Sequence, residues 1–290
     1  MKYIHPSSFL RPFCAKIGLP GTRLWHFIHY WQLRGHAPNF RHPKDLSELI
    51  LSAMNKKSFS DYSVYADKVN VREYIKSKGL ERLLLNVFGV WEDANDIDFD
   101  ALPDKFALKP NNGSGGHVFC HDKSKLNIPE AIKQLNQALV HTNPSYAFEG
   151  QYAKIPPRIY CEELMETGNG INPTDYKFTC IKGQIGDIFI AQEDENMKRK
   201  YATVDTNWQI LPYTKPEFLL NPIPEKPKHL EEMIEIAKML SADFDIVRVD
   251  LYEYKDKVYF SELTFSPWGG YMYSYTDEGL IELGKLYYKK

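Results

Sequence analysis

The 290-residue chain carries 36 Lys and Arg against 38 Asp and Glu, a formal net charge of −2, so no overall basic field marks a nucleic-acid binder. Its 43% hydrophobic and 26% charged residues are ordinary for a soluble globular protein, and no stretch approaches the roughly 20 apolar residues of a membrane span. The start, residues 1–20, has no apolar run long enough for a signal peptide, and the four cysteines form no CxxC pair. A cytoplasmic protein with reduced, mostly buried thiols is therefore expected.

Residues 1–60 read as helices broken by Pro38 and Pro43. Within them Leu24–Leu33 is aromatic and apolar, and predicts either a packed helix or a docking face for a partner or membrane surface, through Trp25, Phe27, Tyr30 and Trp31. Asp45–Lys56 has Leu46, Leu49, Ile50 and Ala53 on one helical face. A further helix is predicted over Asp67–Ser77, ended by Gly79, and a buried strand over Leu83–Trp91. Next come a strand Phe106–Lys109, a glycine loop, a strand His117–His121, and a helix Pro129–Leu139 with proline in its first turn.

From Arg158 the pattern turns to β. Arg158–Met165, Asp175–Ile181 and Gln184–Gln192 read as strands, the last two joined by a Lys182–Gly183 turn. A Pro-rich connection, Pro212–Pro227, leads to helix Leu230–Leu240, then strands Ile246–Tyr254 and Val258–Phe265, then a last helix. Strands and helices without regular βαβ alternation predict an α+β fold.

The glycine loop reads Lys109-Pro-Asn-Asn112-Gly113-Ser114-Gly115-Gly116. No GK[ST] closes it, so it is not a Walker A loop. Strand-like residues follow it rather than a helix, so it is not a dinucleotide fingerprint. Such a strand–loop–strand flap lets backbone N–H groups approach phosphates, with Lys109 to neutralise them; a plain hairpin turn is the alternative. A protein kinase also has a glycine flap, but this chain has Asp243-Phe244-Asp245 and neither DFG nor HRD.

In Arg248-Val-Asp250-Leu-Tyr252, alternation sends Val247, Val249 and Leu251 to the core and Arg248, Asp250 and Tyr252 to the other face. Phe260, Glu262 and Thr264 are expected to share one face of the next strand. A three-residue turn at Lys255–Lys257 would set Asp250 opposite Glu262. Two such carboxylates suit Mg²⁺; a surface hairpin with an Arg–Glu pair is the alternative. Ser266-Pro-Trp-Gly-Gly270 follows at once. Asp250→Asn is expected to leave the fold intact, as a surface strand change. Cys161-Glu162-Glu163-Leu-Met165 is a strand end able to meet an adenine edge, or simply an exposed acidic end.

Together these elements resemble an ATP-grasp protein, and more narrowly the TupA-like ATP-grasp family of teichuronopeptide biosynthesis, over roughly residues 45–286. Ala66-Asp-Lys68, Leu84–Trp91, Leu102–Gly116, Pro157–Glu163, Asp175-Tyr-Lys177-Phe178, Val247–Tyr252 and Phe260–Phe265 carry the likeness. The resemblance implies two α+β lobes clasping ATP: a helical region 1–60 and a catalytic region 61–290, with a flap lobe about 105–160 and a metal lobe about 161–290. It implies that Lys68 and Lys109 meet the α- and β-phosphates, and that Asn112, Gly113, Ser114, Gly115 and Gly116 cover them. Glu162, Glu163 and Met165 would hold adenine, with Lys177 also on the nucleotide side. Lys198 or Arg199 would face the γ-phosphate, and Arg248 would steady an acyl-phosphate. Asp250 and Glu262 would bind Mg²⁺, with Thr264 where many relatives have Asn.

The implied activity is a ligase that joins a carboxylate, on a uronic-acid glycan or a polyglutamate, to an amine, with a polysaccharide-assembly partner as a further implication. A kinase of a sugar or small molecule on the same scaffold, and a non-catalytic glycan-binding protein, stay open.

Overall fold

The computed structural model describes residues 7–113, 115–140, 147–166, 173–193 and 198–289. The described residues begin with a helical hairpin, α1 (Ser7–Lys16) and α2 (Leu19–Arg34). Gly35 stops α2 at φ 77°, a left-handed value that glycine adopts without strain, and its N–H closes on the Trp31 carbonyl. α3 (Leu46–Met54) starts where the Asp45 side chain accepts from the Glu48 N–H, the usual device for a first-turn donor. Two short helices follow, α4 (Ser63–Ala66) and α5 (Val71–Ser77).

The strands form two antiparallel sheets. The first contains β1 (Val87–Trp91), β2 (Phe106–Pro110), β3 (Val118–Cys120) and β4 (Ile159–Glu163) in the order β1-β4-β2-β3. Helix α6 (Ile128–Val140) covers it, burying Ala131 and Leu135 against Phe106, Leu108 and Ile159. The second contains β5 (Asp175–Ile181), β6 (Gln184–Glu193), β7 (Arg199–Val204), β8 (Ile210–Leu211), β9 (Ile246–Tyr254) and β10 (Lys257–Thr264), in the order β10-β9-β5-β6-β7-β8.

Helices α7 (Leu230–Ser241) and α8 (Asp277–Leu286) pack on that second sheet. α7 sends Met233, Ile236, Ala237 and Leu240 inward at helical spacing, onto Val247, Val249 and Leu251 of β9. Each large side chain so buried is worth about 1.5–3 kcal/mol relative to exposure. One face of the sheet is thus spent on the core, which leaves the other for polar side chains.

The α+β expectation is met, with particular differences. The strand predicted from Leu83 begins at Val87, because Glu81–Leu83 closes a 3-10 turn that buries Leu83. The helix predicted from Asp67 begins at Val71, because Asp67 acts as a turn acceptor, taking the N–H of Val69 at 2.8 Å and of Asn70 at 3.3 Å. β7 and β8 were not predicted; β7 opens on Arg199-Lys-Tyr, a polar start without strand alternation. The lobe division at 160/161 falls inside β4, which pairs with β1 and β2 over Ile159–Glu163 and belongs wholly to the first sheet.

Residues 7–60 are built into this body. Leu46, Ile50, Leu51 and Met54 lie in the same core cluster as the second sheet. Ser47 donates to the Gly270 carbonyl at 2.6 Å, and Arg34 to the carbonyls of Tyr271 and Met272. Trp25 and Tyr30 are buried, whereas Phe27 and Trp31 are 42% and 54% exposed. Deletion of residues 1–60 is therefore expected to give insoluble protein on expression, since it uncovers that core; a soluble, monodisperse truncation by size-exclusion chromatography would contradict this packing.

Candidate functional site

The polar face of the second sheet carries two rows of side chains. In the first, Lys177 of β5, Asp250 of β9 and Glu262 of β10 stand directly opposite one another. Two residues along, Thr179, Arg248 and Thr264 form the second row. Asp250 does oppose Glu262, but not by the predicted route. The hairpin turn has two residues, Lys255 and Asp256, both at positive φ, so Tyr254 pairs with Lys257. A β-bulge at Ser261 then shifts the register by one. It also turns Phe260 to the core, opposite Leu251, instead of onto the face of Glu262 and Thr264.

The rows are tied together by charge. Arg248 donates from Nε and Nη2 to the two oxygens of Asp250, at 2.7 and 2.6 Å, and from Nη2 to Glu262 Oε1 at 3.2 Å. Lys177 Nζ lies 2.6 Å from both Asp250 Oδ2 and Asp175 Oδ2, and Arg199 reaches Asp175 at 3.1 Å. Asp250 has no exposed surface. It is not the surface residue expected from sequence, and the expectation that Asp250→Asn spares the fold is withdrawn. Burial pushes the Asp250 carboxyl upward, against Arg248 and Lys177. Burial also opposes charge on Glu262, but Lys68, Arg248 and Lys177 outweigh it and hold that carboxyl far below the usual range. Thr264 Oγ1 donates to Glu262 Oε1 at 2.8 Å and takes Arg248 Nη2 at 3.1 Å, which fixes the rotamer of Glu262.

Across from these rows stands the flap. Its root is Asn111, fully buried, with every polar group paired. Its N–H donates to the Arg158 carbonyl, its carbonyl accepts the Lys68 N–H, and its amide bridges Asp67, the Pro156 carbonyl and the Arg158 N–H. Asp67 also accepts from Arg158 at 2.8 Å. This lock presents Lys68, whose Nζ donates to the Gly113 carbonyl at 2.8 Å and sits 3.4 Å from Glu262. Asn112 is buried beside Asn111. Gly115 and Gly116 hold φ of 93° and 71°. A Cβ at Gly116 would come within 2.4 Å of the Ala138 Cβ, so the loop closes against α6 only with glycine there. Ser114 lies outside the described residues. On β2 and β4, Lys109 and Glu162 form a diagonal cross-strand pair at 2.6 Å.

Between the sheets lies a cavity of about 350 Å³. Lys68, Lys109, Glu162, Lys177, Asp250 and Glu262 all line it, and so do Leu85, Glu163, Leu164 and Met165. His117 lines it too. Burial, then Lys109 and Lys68, push its imidazole down to about 4, so it is neutral at pH 7. A second cavity of about 470 Å³ adjoins the first, sharing Lys68, Gly113, Lys177, Arg199 and Glu262, and adding Arg248 and Thr264. Of the two basic candidates after β6, Arg199 lines both cavities and Lys198 lines neither. Asn111 stands in the sequence only as part of the flap, and Asp67, Arg158 and Asp175 only inside the motifs of the resemblance, none with a role of its own, although Asp175 lies two residues from Lys177, with which it pairs.

A family model described as TupA-like ATPgrasp matches residues 46–287. No curated protein matches the chain. Among solved structures, the D-alanine–D-alanine ligase from Helicobacter pylori is similar at 17% identity and TM-score 0.41, over 77% of this chain and 61% of that one. The D-alanine–D-alanine ligase from Bacillus anthracis is similar at 16% and 0.44, over 78% and 64%. The L-amino acid ligase from Bacillus licheniformis is similar at 16% and 0.47, over 78% and 51%. The chain thus spans less than two thirds of each of these three.

Proposed function

We propose that this chain, which belongs to the TupA-like ATP-grasp family, is an ATP-dependent carboxylate–amine ligase that works through an acyl-phosphate. One observation carries the reading: two cavities meet at a single charged row, with Glu163, Leu164 and Met165 lining only the first and Arg248 only the second. ATP would lie in the first cavity, its adenine by Glu163–Met165 and its phosphates by Lys68 and Lys109 under the Asn112–Gly116 flap. The acyl donor would lie in the second, its carboxylate beside Arg248 and Arg199.

The donor oxygen attacks the γ-phosphorus, and the bond to ADP breaks. An amine then attacks the acyl carbon, forming C–N and releasing phosphate, while the amine proton passes to solvent or a nearby base. Phosphoryl transfer of this kind asks for alignment and charge neutralisation, which lysines and arginines at fixed positions supply.

Asp250 and Glu262 fit a hard divalent ion such as Mg²⁺. They are oxygen ligands on neighbouring strands; among the described residues Glu262 Oε2 meets only Lys68, at 3.4 Å, and Asp250 Oδ1 accepts only from Arg248 Nε. Bound there, the ion would shield phosphate charge. Thr264 acts by holding Glu262. The physiological donor is proposed to be a uronic-acid or polyglutamate-containing cell-surface polysaccharide precursor, and the acceptor an amino acid, in the cytoplasm. No helix of the described residues is long and apolar enough to cross a membrane. Docking to a membrane surface or an assembly partner would use Leu24, Phe27 and Trp31, the exposed i, i+3, i+7 stripe of α2.

Hydroxylamine in place of the amine is expected to trap the acyl-phosphate as a hydroxamate, with phosphate release that requires the carboxylate donor. A phosphorylated hydroxyl product with no hydroxamate would move the protein to the kinase alternative. Failure to bind ATP at all would favour a non-catalytic glycan-binding protein.

A further inference from the structure

A third cavity, of about 430 Å³, lies between α2 and the loop 266–273. It shares Glu149, Trp268 and Gly269 with the donor cavity, so the two are neighbours across Trp268. Its walls are aromatic, but the rings are not equivalent. Trp25 is already sandwiched, with His29 stacked at 5.1 Å and Phe148 at 5.2 Å. Trp268 meets Phe189, Tyr201 and Tyr273 at interplanar angles of 89°, 65° and 43°, none of them parallel.

The backbone of Trp268 sits at φ 56°, ψ 35°, a left-handed conformation that a bulky side chain rarely adopts and that persists only where the surroundings impose it. Here Arg34 does so, donating to the carbonyls of Tyr271 and Met272, while Ser47 holds the Gly270 carbonyl. Polar groups complete the cavity. The Tyr271 hydroxyl is buried without a hydrogen-bond partner among the described residues, Tyr273 bonds His29 at 2.9 Å, and the Arg11 guanidinium stands 5.6 Å over Trp25.

A pyranose ring matches this combination. Its C–H face suits an aromatic platform, its hydroxyls both donate and accept, and a uronic-acid carboxylate suits Arg11. A wholly apolar ligand would leave the Tyr271 hydroxyl unmet, which is costly when such a group is buried. The geometry points to this cavity as a saccharide subsite that holds the sugar unit next to the one whose carboxylate is activated, with Trp268 between them. The inference rests on the ligase reading, because that reading places the reacting carboxylate in the adjoining cavity.

The test is calorimetric titration of the full chain, saturated with a non-hydrolysable MgATP analogue, with galacturonic acid and with its linear trisaccharide. The trisaccharide is expected to bind at least ~10-fold more tightly, a step of about 1.4 kcal/mol. Tyr271→Phe, which removes only a hydroxyl that has no partner among the described residues, and Tyr273→Ala, at a half-buried position, should each reduce that advantage. Tyr271→Phe should keep the wild-type thermal midpoint, Tyr273→Ala should lower it through the lost His29 bond and ring contacts, and both should keep the wild-type analogue affinity. Equal affinity for the two saccharides, binding of neither, or an unchanged advantage in both variants would overturn the subsite. Failure of the wild-type chain to bind the nucleotide analogue is a separate result: it removes the ligase reading, and the saccharide comparison repeated without nucleotide still decides the subsite.

Discussion

Asp250→Asn should lower turnover by roughly 10²–10³-fold or more and also destabilise the fold by about 3–5 kcal/mol. The two effects have one origin. Arg248 and Lys177 are both satisfied by the same fully buried carboxylate, and an amide there leaves two cations facing a neutral group in a poorly solvated place. Donor-dependent phosphate release and urea unfolding check the two parts. A variant as stable as wild type would mean that water reaches the row and that the charges are weakly coupled. A stable and active variant would remove Asp250 from the chemistry altogether. Lys177→Met with Asp250→Asn should recover part of the stability but none of the turnover, since the pair is then neutralised together.

Removal of divalent ions should weaken binding of an ATP analogue by on the order of 100-fold, or about 2.7 kcal/mol. The lysines of the nucleotide cavity are already committed: Lys177 to Asp175 and Asp250, Lys109 to Glu162, and Lys68 to the neighbourhood of Glu262. A bare triphosphate therefore enters a cavity whose cations are partly cancelled, and whose carboxylates repel it. A divalent ion on Glu262 and Asp250 would occupy the carboxylates that face Lys68 and Lys177, so these two lysines could turn to phosphate oxygens. Titration with and without chelator measures the ratio, and equal affinities would count against the metal assignment.

What the sequence made legible was what depends on near neighbours. Alternation along residues 246–251 separated the core valines from Arg248 and Asp250, and helical spacing over 230–240 found the buried face of α7. The flap was legible because strand, glycines and strand are contiguous. The lock beneath it was not. Asp67, Asn111 and Arg158 meet across separations of 44 to 91 residues, and each looks like an ordinary polar residue until the chain closes. The burial of Asp250 was missed for a related reason: alternation gives the face of a strand, but not what covers that face. Arg199 was distinguishable from Lys198 only once β7 was seen to pair with β6, which brings Arg199 to Asp175.

The bulge at Ser261 has a consequence for how this chain can change. It acts as a phase slip in the apolar rhythm of β10: Val258 and Phe260 face the core before it, Leu263 and Phe265 after it. A longer turn without the bulge would set Glu262 opposite Asp250 just as well, while exchanging the faces of residues 257–260. Two hairpins of different length and different surface are therefore interchangeable as far as the carboxylates are concerned. The tip around Lys255 and Asp256 can thus change in length without moving the carboxylates, so long as one residue gained on one side of Ser261 is balanced on the other. A two-residue turn, meanwhile, keeps both positions at positive φ and so favours Gly, Asn or Asp there.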